Sequence, residues 1–143
     1  MNRESNNSKE SILLVDDELY TLTGFTFYLK GRGFNLVTAE DGETGFEKAK
    51  NELPDLILLD VLMPEMDGFE VCRLLKDHEI TKTIPVIFMT SLTEIDDISR
   101  AFSIGAVDYV CKPFQFEEVM ARINAHLTII KNTKRTRRKK CMS

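Results

Sequence analysis

The chain has 143 residues, 43% of them hydrophobic and 29% charged, the balance of a soluble globular protein of one domain. No apolar run approaches the roughly 18 residues of a membrane span, and the opening MNRESNNSKE lacks the apolar core of a signal peptide, so a cytoplasmic protein is expected. Cys72, Cys111 and Cys141 are odd in number and show no C-x-x-C spacing, which speaks against a disulfide or zinc framework. The net charge of -4 hides an asymmetry. Before residue 131 stand all 23 acids against 12 basic residues, a balance of -11; the other seven basic residues fall in KNTKRTRRKKCMS, which has no acid. An acidic body argues against a nucleic-acid-binding core.

Along the chain, the polar leader of residues 1–10 is expected to be flexible. The run Ile12-Leu13-Leu14-Val15 then reads as a buried strand, and it stops at Asp16-Asp17-Glu18. A first helix carries TLTGFT, with Leu22, Phe25 and Leu29 toward the core, and ends at Gly31 and Gly33. Phe34–Thr38 is a more polar strand, suited to a sheet edge. A second helix ends before Pro54, and Leu56–Leu59 is an aliphatic strand ending at Asp60. Asp67-Gly68 opens a third helix, whose Val71, Leu74 and Leu75 give a 3–4 stripe. Val86–Met89 is followed by Thr90 and Ser91, and Thr93 is expected to cap a fourth helix that Gly105 closes. Val107–Val110 leads to Cys111 and Lys112. The last helix sets Phe116, Val119, Met120, Ile123, Leu127 and Ile130 on one face and is followed by the basic tail, residues 131–143.

Five strand–helix units of this size predict an open, doubly wound α/β sheet over residues 11–130, with the site outside the carboxyl ends of the strands. The residues just past those ends are Asp16 and Asp17, Asp60, Thr90 and Lys112. Three carboxylates at one rim repel one another unless a cation or protons intervene. Mg²⁺, or Mn²⁺ in its place, suits an all-oxygen site that spares room for water. Lys112 offers a compact positive charge to a phosphoryl oxygen, and Thr90 offers one hydrogen bond. The set reads as metal-dependent phosphorylation of an aspartate, with Asp60 the nucleophile.

In ILLVDDE, PDLILLDVLMPEMDGFEVCRLLK, IPVIFMTS and GAVDYVCKPF the chain resembles the receiver domain of two-component response regulators, the flavodoxin-like fold of the chemotaxis response regulator. That resemblance implies a five-stranded parallel sheet of order 2-1-3-4-5 with five helices. It implies Asp60 as phosphoacceptor, a metal held by Asp16, Asp17, Asp60 and the backbone carbonyl of Leu62, and a cis Lys112-Pro113 bond. Thr90 and Tyr109 match the family's switch pair, which remodels the surface of the fourth helix, fifth strand and fifth helix. The implied partners are a sensor histidine kinase or histidine phosphotransfer protein, a downstream protein on the switched surface, and a second copy on phosphorylation.

Other readings stay beside this one. T-x-T-G-x-T is the phosphate loop of flavin-binding relatives, but here three acids intervene and the motif falls within a helix. A haloacid-dehalogenase-like phosphatase needs a second aspartate where Leu62 stands. A receiver excised from a hybrid kinase or multidomain regulator shares the chemistry, and a receiver-like binding module would never take up phosphate. Glu18 is left as a metal-water or helix-capping residue outside the site. Cys72 and Cys111 are expected as core fillers, and His126 as a partly exposed residue on the last helix. Leu62 and Leu92 are expected to hinder water attacking an acyl phosphate, giving slow loss of phosphate. The basic tail could meet nucleic acid, anionic lipid or an acidic partner, extend the helix into solvent, or lead as a linker to another domain.

Overall fold

A computed structural model describes the backbone of residues 9–142 and the side chains of residues 9–133. Most of the expected flexible leader therefore lies outside the described residues. In chain order the elements are β1 (Ser11–Val15), α1 (Leu19–Gly31), β2 (Asn35–Ala39), α2 (Gly42–Glu52), β3 (Leu56–Leu59), α3 (Gly68–Asp77), β4 (Val86–Thr90), α4 (Ile95–Ile104), β5 (Asp108–Cys111) and α5 (Phe116–Met142). The strands form one parallel sheet of order β2-β1-β3-β4-β5.

Period-2 alternation along the strands sends their apolar side chains into two separate layers. Leu13, Val15, Ile57, Leu59, Val86 and Phe88 face one way, onto Ala49 of α2, Val71, Cys72 and Leu75 of α3 and Ala101 of α4. Ile12, Leu14, Leu56, Leu58, Ile87, Met89 and Val110 face the other way, onto α1 and α5. Both faces are covered, which is why these strands read as nearly continuous aliphatic runs. β2 has a single neighbour and only Ala39 fully buried, as its polar composition requires.

Several boundaries differ from the sequence expectation: β1 and β4 are each one residue longer, at Ser11 and at Thr90, and β5 is Asp108–Cys111 in place of Val107–Val110. β2 is Asn35–Ala39, because Phe34 closes the turn after α1 and packs into the second layer instead of entering the strand. Its N–H bonds the Leu29 carbonyl, while that of Asn35 bonds Glu10. The cap of α4 is Glu94, not Thr93, and it makes no side-chain capping bond. α5 continues to Met142, so the backbone of the basic segment extends the last helix without a break.

Gly24, at the centre of TLTGFT, lies inside α1. A Cβ there would stand 3.2 Å from the Phe116 ring, so this glycine serves the approach of α1 to the start of α5. Phe25 meets the Phe114 and Phe116 rings at 5.2 and 4.9 Å between centroids, locking the same junction. Thr26 spends its hydroxyl on the Leu22 carbonyl, 2.7 Å away. The T-x-T-G-x-T spelling is helix packing, not a phosphate loop. Among the described residues, no helix is long and apolar enough to cross a membrane.

Candidate functional site

The site is built from three strand ends. β1, β3 and β5 run parallel and stop on one rim, so the residues just past them converge although they are far apart in sequence. Asp16, Asp17 and Asp60 each bring a carboxylate oxygen to within 4.8 Å of the other two. Asp16 is fully buried, Asp60 is 5% exposed, and Asp17 is open to solvent. Asp16 is anchored by the Glu18 N–H, which donates to its Oδ1 at 2.9 Å. Asp60 is held through its backbone N–H to the Val15 carbonyl at 3.0 Å, and a long contact of 3.4 Å runs from the Leu62 N–H to its Oδ1.

Lys112 reaches across the rim. Its Nζ lies 3.1 Å from Asp16 Oδ2, 3.6 Å from Asp60 Oδ2 and 3.8 Å from Glu18 Oε1. The Lys112-Pro113 bond is cis, as the resemblance implies, and the Lys112 N–H bonds the Thr90 carbonyl at 2.8 Å. One ammonium is thus shared among several acids. The balance shows in the charges: burial, with Asp16 adding to it, pushes the Asp60 carboxyl up to about 6 against the pull of Lys112. Burial works against the Lys112 ammonium, but Asp60 and Asp16 outweigh it and raise its pKa above the ordinary lysine value.

The approach of α3 sets the fourth side. Asp67 caps that helix in a capping box with Glu70, accepting the Glu70 N–H at 2.9 Å. A Cβ on Gly68 would come within 2.3 Å of the Asp60 carbonyl oxygen and 2.7 Å of Val61 Cα. Only glycine lets the helix start press so closely on the strand that carries Asp60. The D-G of the motif is therefore part of how Asp60 is held. Leu62 lies on the loop between β3 and α3 with its side chain half exposed.

Thr90 ends β4, fully buried, with its hydroxyl accepting a long 3.4 Å contact from the Leu92 N–H. Tyr109 is turned inward. Its ring is 9% exposed, and its hydroxyl donates to the Leu92 carbonyl at 2.6 Å, with the phenol pushed up to about 12 by burial. Leu92 packs its side chain on the first apolar layer, so one loop residue joins the Thr90 end of β4 to the ring on β5. Cys72 is buried in the core, and Cys111 is half-buried beside the same Leu92 carbonyl.

Glu18 stands at the N-cap position of α1, as one of its two sequence readings has it; its Oε1 accepts from the Thr21 hydroxyl at 2.8 Å and lies 3.8 Å from Lys112 Nζ. Sequence reasoning missed one cluster. Asp108 at the start of β5 accepts two bonds from Arg122, at 2.8 and 3.0 Å, and lies 3.0 Å from His126 Nε2. Arg122 and His126 are four residues apart on α5 and share a face, but nothing in the sequence points them at Asp108. Burial opposes the Asp108 charge, and the Tyr109 N–H, which donates to its Oδ1 at 2.8 Å, together with Arg122 and His126 outweighs it and lowers its pKa.

Beside the rim, α1 leaves an apolar groove of about 900 Å³, lined by Leu19, Leu22, Thr23, Phe27 and Lys30 and reaching Glu40. Leu19, Tyr20 and Phe27 are all more than two-thirds exposed on this helix, which begins directly after the acids.

Comparison with known proteins agrees with this fold. The profile of the response regulator receiver domain matches residues 12–124. The chain is 41% identical over 118 residues to the alkaline phosphatase synthesis transcriptional regulatory protein PhoP of Bacillus subtilis, covering 82% of this chain and 48% of that one. It is 34% identical over 119 residues to the DNA-binding response regulator MtrA of Mycobacterium leprae, covering 83% and 52%. The chain spans about half the length of the curated relatives it matches. Among solved structures, chemotaxis protein CheY4 of Vibrio cholerae superposes with a TM-score of 0.79 at 27% identity, covering 82% of this chain and 98% of that one. The signal receiver domain of a signal transduction histidine kinase from Syntrophus aciditrophicus gives 0.79 at 33% identity, covering 85% and 92%.

Proposed function

The chain belongs to the response regulator receiver domain family, and from that premise we propose that it is a switch driven by phosphorylation of Asp60. The observation that carries the reading is the Asp60 carboxylate, buried and held up to about 6 by burial and Asp16, with the Lys112 ammonium 3.6 Å away. A buried carboxylate, facing a fixed cation at a rim with two further acids, is placed to attack phosphorus once a metal offsets their charge.

Asp16, Asp17, Asp60 and the Leu62 carbonyl would hold Mg²⁺, or Mn²⁺ in its place. Two buried carboxylates within 4.8 Å of a third, with one lysine between them, carry more negative charge than their surroundings neutralise, which fits a divalent cation. When bound, the metal supplies positive charge to the oxygens of the transferring phosphoryl group. The residues of the chain do the rest. An Asp60 oxygen attacks the phosphorus of a phosphohistidine on the donor; the P–N bond breaks, its electron pair returns to the imidazole, and the new O–P bond makes an acyl phosphate. Lys112 exchanges its carboxylate partners for a phosphoryl oxygen, so no new counter-charge need be brought in. Thr90 turns its hydroxyl to the same group, at the cost of its long contact to the Leu92 N–H.

That movement pulls on the Leu92 loop, to which the Tyr109 hydroxyl is bonded. The surface of α4, β5 and α5 is then remodelled for a downstream protein or for a second copy of the chain. Phosphorylation adds about -1.5 to -2 charge, sufficient to bias a two-state loop by a few kcal/mol. The donor, a sensor histidine kinase or phosphotransfer protein of the cytoplasm, would dock on the exposed face of α1, whose apolar groove borders the rim. Because the relatives are about twice as long, the same chemistry also suits a receiver that is one part of a multidomain regulator or hybrid kinase.

The test is intact mass after incubation with acetyl phosphate, with and without Mg²⁺, on wild type and Asp60→Asn. A single phosphoryl gain that needs both the metal and Asp60 supports the switch. No gain in folded, Mg²⁺-binding protein replaces it with a receiver-like binding module.

A further inference from the structure

The longest helix of the chain outlasts the core it packs on. α5 turns Phe116, Val119, Met120, Ile123 and Leu127 onto the second apolar layer, and Leu127 is the last buried residue among those described. From there the helix continues to Met142, about 22 Å at 1.5 Å per residue. Its sequence changes character at Lys131. KNTKRTRRKK holds seven basic residues with no acid and no hydrophobic residue, after a body whose balance is -11. Lys131 is paired with Glu10 at 3.1 Å; the other six follow it. Lys131, Lys134, Arg135 and Arg138 recur at i, i+3, i+4 and i+7, the spacing of one helix face.

The helix dipole explains cations only in the last turn. Further in, Lys131 with Arg135, Lys134 with Arg138, and Arg135 with Lys139 are like charges at i, i+4, each costing the helix a few tenths of a kcal/mol. A polyanion laid along the helix would turn that repulsion into attraction. Residues 131–140 lack the apolar face by which a helix inserts into a membrane surface, so lipid would be held there by charge alone. The deep, narrow major groove of A-form RNA does not admit a helix. The major groove of B-DNA, about 12 Å wide, does admit one of about 10–12 Å, between phosphates spaced at about 1.7 Å per charge. The backbone that bears this run extends past the core, whose acids would repel DNA.

We propose that the helical extension from Lys131 to Lys140 is a sequence-independent binding site for duplex DNA. It does not rest on the phosphotransfer reading.

The test is fluorescence anisotropy of a labelled duplex of about 20 base pairs with the full chain, from about 50 to 200 mM salt. Four to six phosphate contacts predict a fall in affinity of about 10²–10³-fold across that range. The variant K134Q/R135Q/R138Q should lower the slope of log K against log salt by about 3 while unfolding at the wild-type temperature. No binding by the wild type at about 50 mM salt overturns the proposal. So does binding that the triple variant leaves unchanged, equal binding to the single strand, or preference for phosphatidylserine vesicles over the duplex.

Discussion

Replacing Asp60 by Asn should stabilise the metal-free protein at pH 7. The folded state holds this carboxyl at about 6, against 3.8 for an ordinary aspartate, so folding disfavours its charged form. The cost is full above pH 6, shrinks as the pH falls through 6, and vanishes below 3.8, where both states are protonated. The whole shift corresponds to at most about 3 kcal/mol. Solvent at the open rim screens part of this, leaving about 1–2 kcal/mol. Asn keeps the shape and removes the charge facing Asp16, so melting in EDTA at pH 7 should rise by about 3–8 °C. At pH 4.5 the gain should have fallen to about a third to a half, since Asp60 is then mostly protonated in the folded state but still mostly ionised in the unfolded one. An equal or lower melting temperature for Asp60→Asn at pH 7 would refute the reasoning. A gain of the same size at pH 4.5 would trace it to something other than charge.

Three further outcomes are expected. Mg²⁺ binding should weaken as the pH falls through 6, because the metal must displace the Asp60 proton; calorimetry in two buffers of different ionisation heat at pH 6 should show proton release, and none would contradict the assignment. Gly68→Ala should cost about 1–3 kcal/mol in denaturant melts and slow acetyl phosphate uptake, because its Cβ must displace the Asp60 backbone; wild-type uptake would mean that the close approach does not position Asp60. Phospho-Asp60 should be long-lived, and polar residues at both Leu62 and Leu92 should shorten its life by admitting water. Leu92 already packs on the core while Leu62 is half exposed, so the single change at Leu62 should produce most of the effect, and an unchanged half-life in the double variant would sink the idea.

Much of the fold was legible because local pattern and global packing agree. Four aliphatic runs marked the covered strands, and the polar run marked the edge strand β2. Phe34 deceived because an aromatic residue suits a strand as well as it suits the plug of a helix–strand turn, and only packing separates the two. Thr93 is a plausible cap by residue type, yet a cap is fixed by backbone entry angle, which the sequence does not state. The candidate site was readable as residue types at strand ends, since a parallel sheet gathers those positions whatever the connecting helices do. The Asp108–Arg122–His126 cluster was not readable, because its members meet only through the way α5 lies across β5.

The sequence by itself determined which residues could enter the rim, which faces of the strands would be buried, and where charge changes sign along the chain. These follow from side-chain chemistry, period and order, all local properties. The tertiary structure alone decided that Lys112 stands 3.1 Å from Asp16 across 96 residues of chain, and that Asp60 is buried enough to hold a proton up to about 6. It also decided that Gly24 and Gly68 serve close approach, and that the Tyr109 hydroxyl rests on Leu92. Distance and desolvation arise from how the layers pack, so they exist only once the chain has folded.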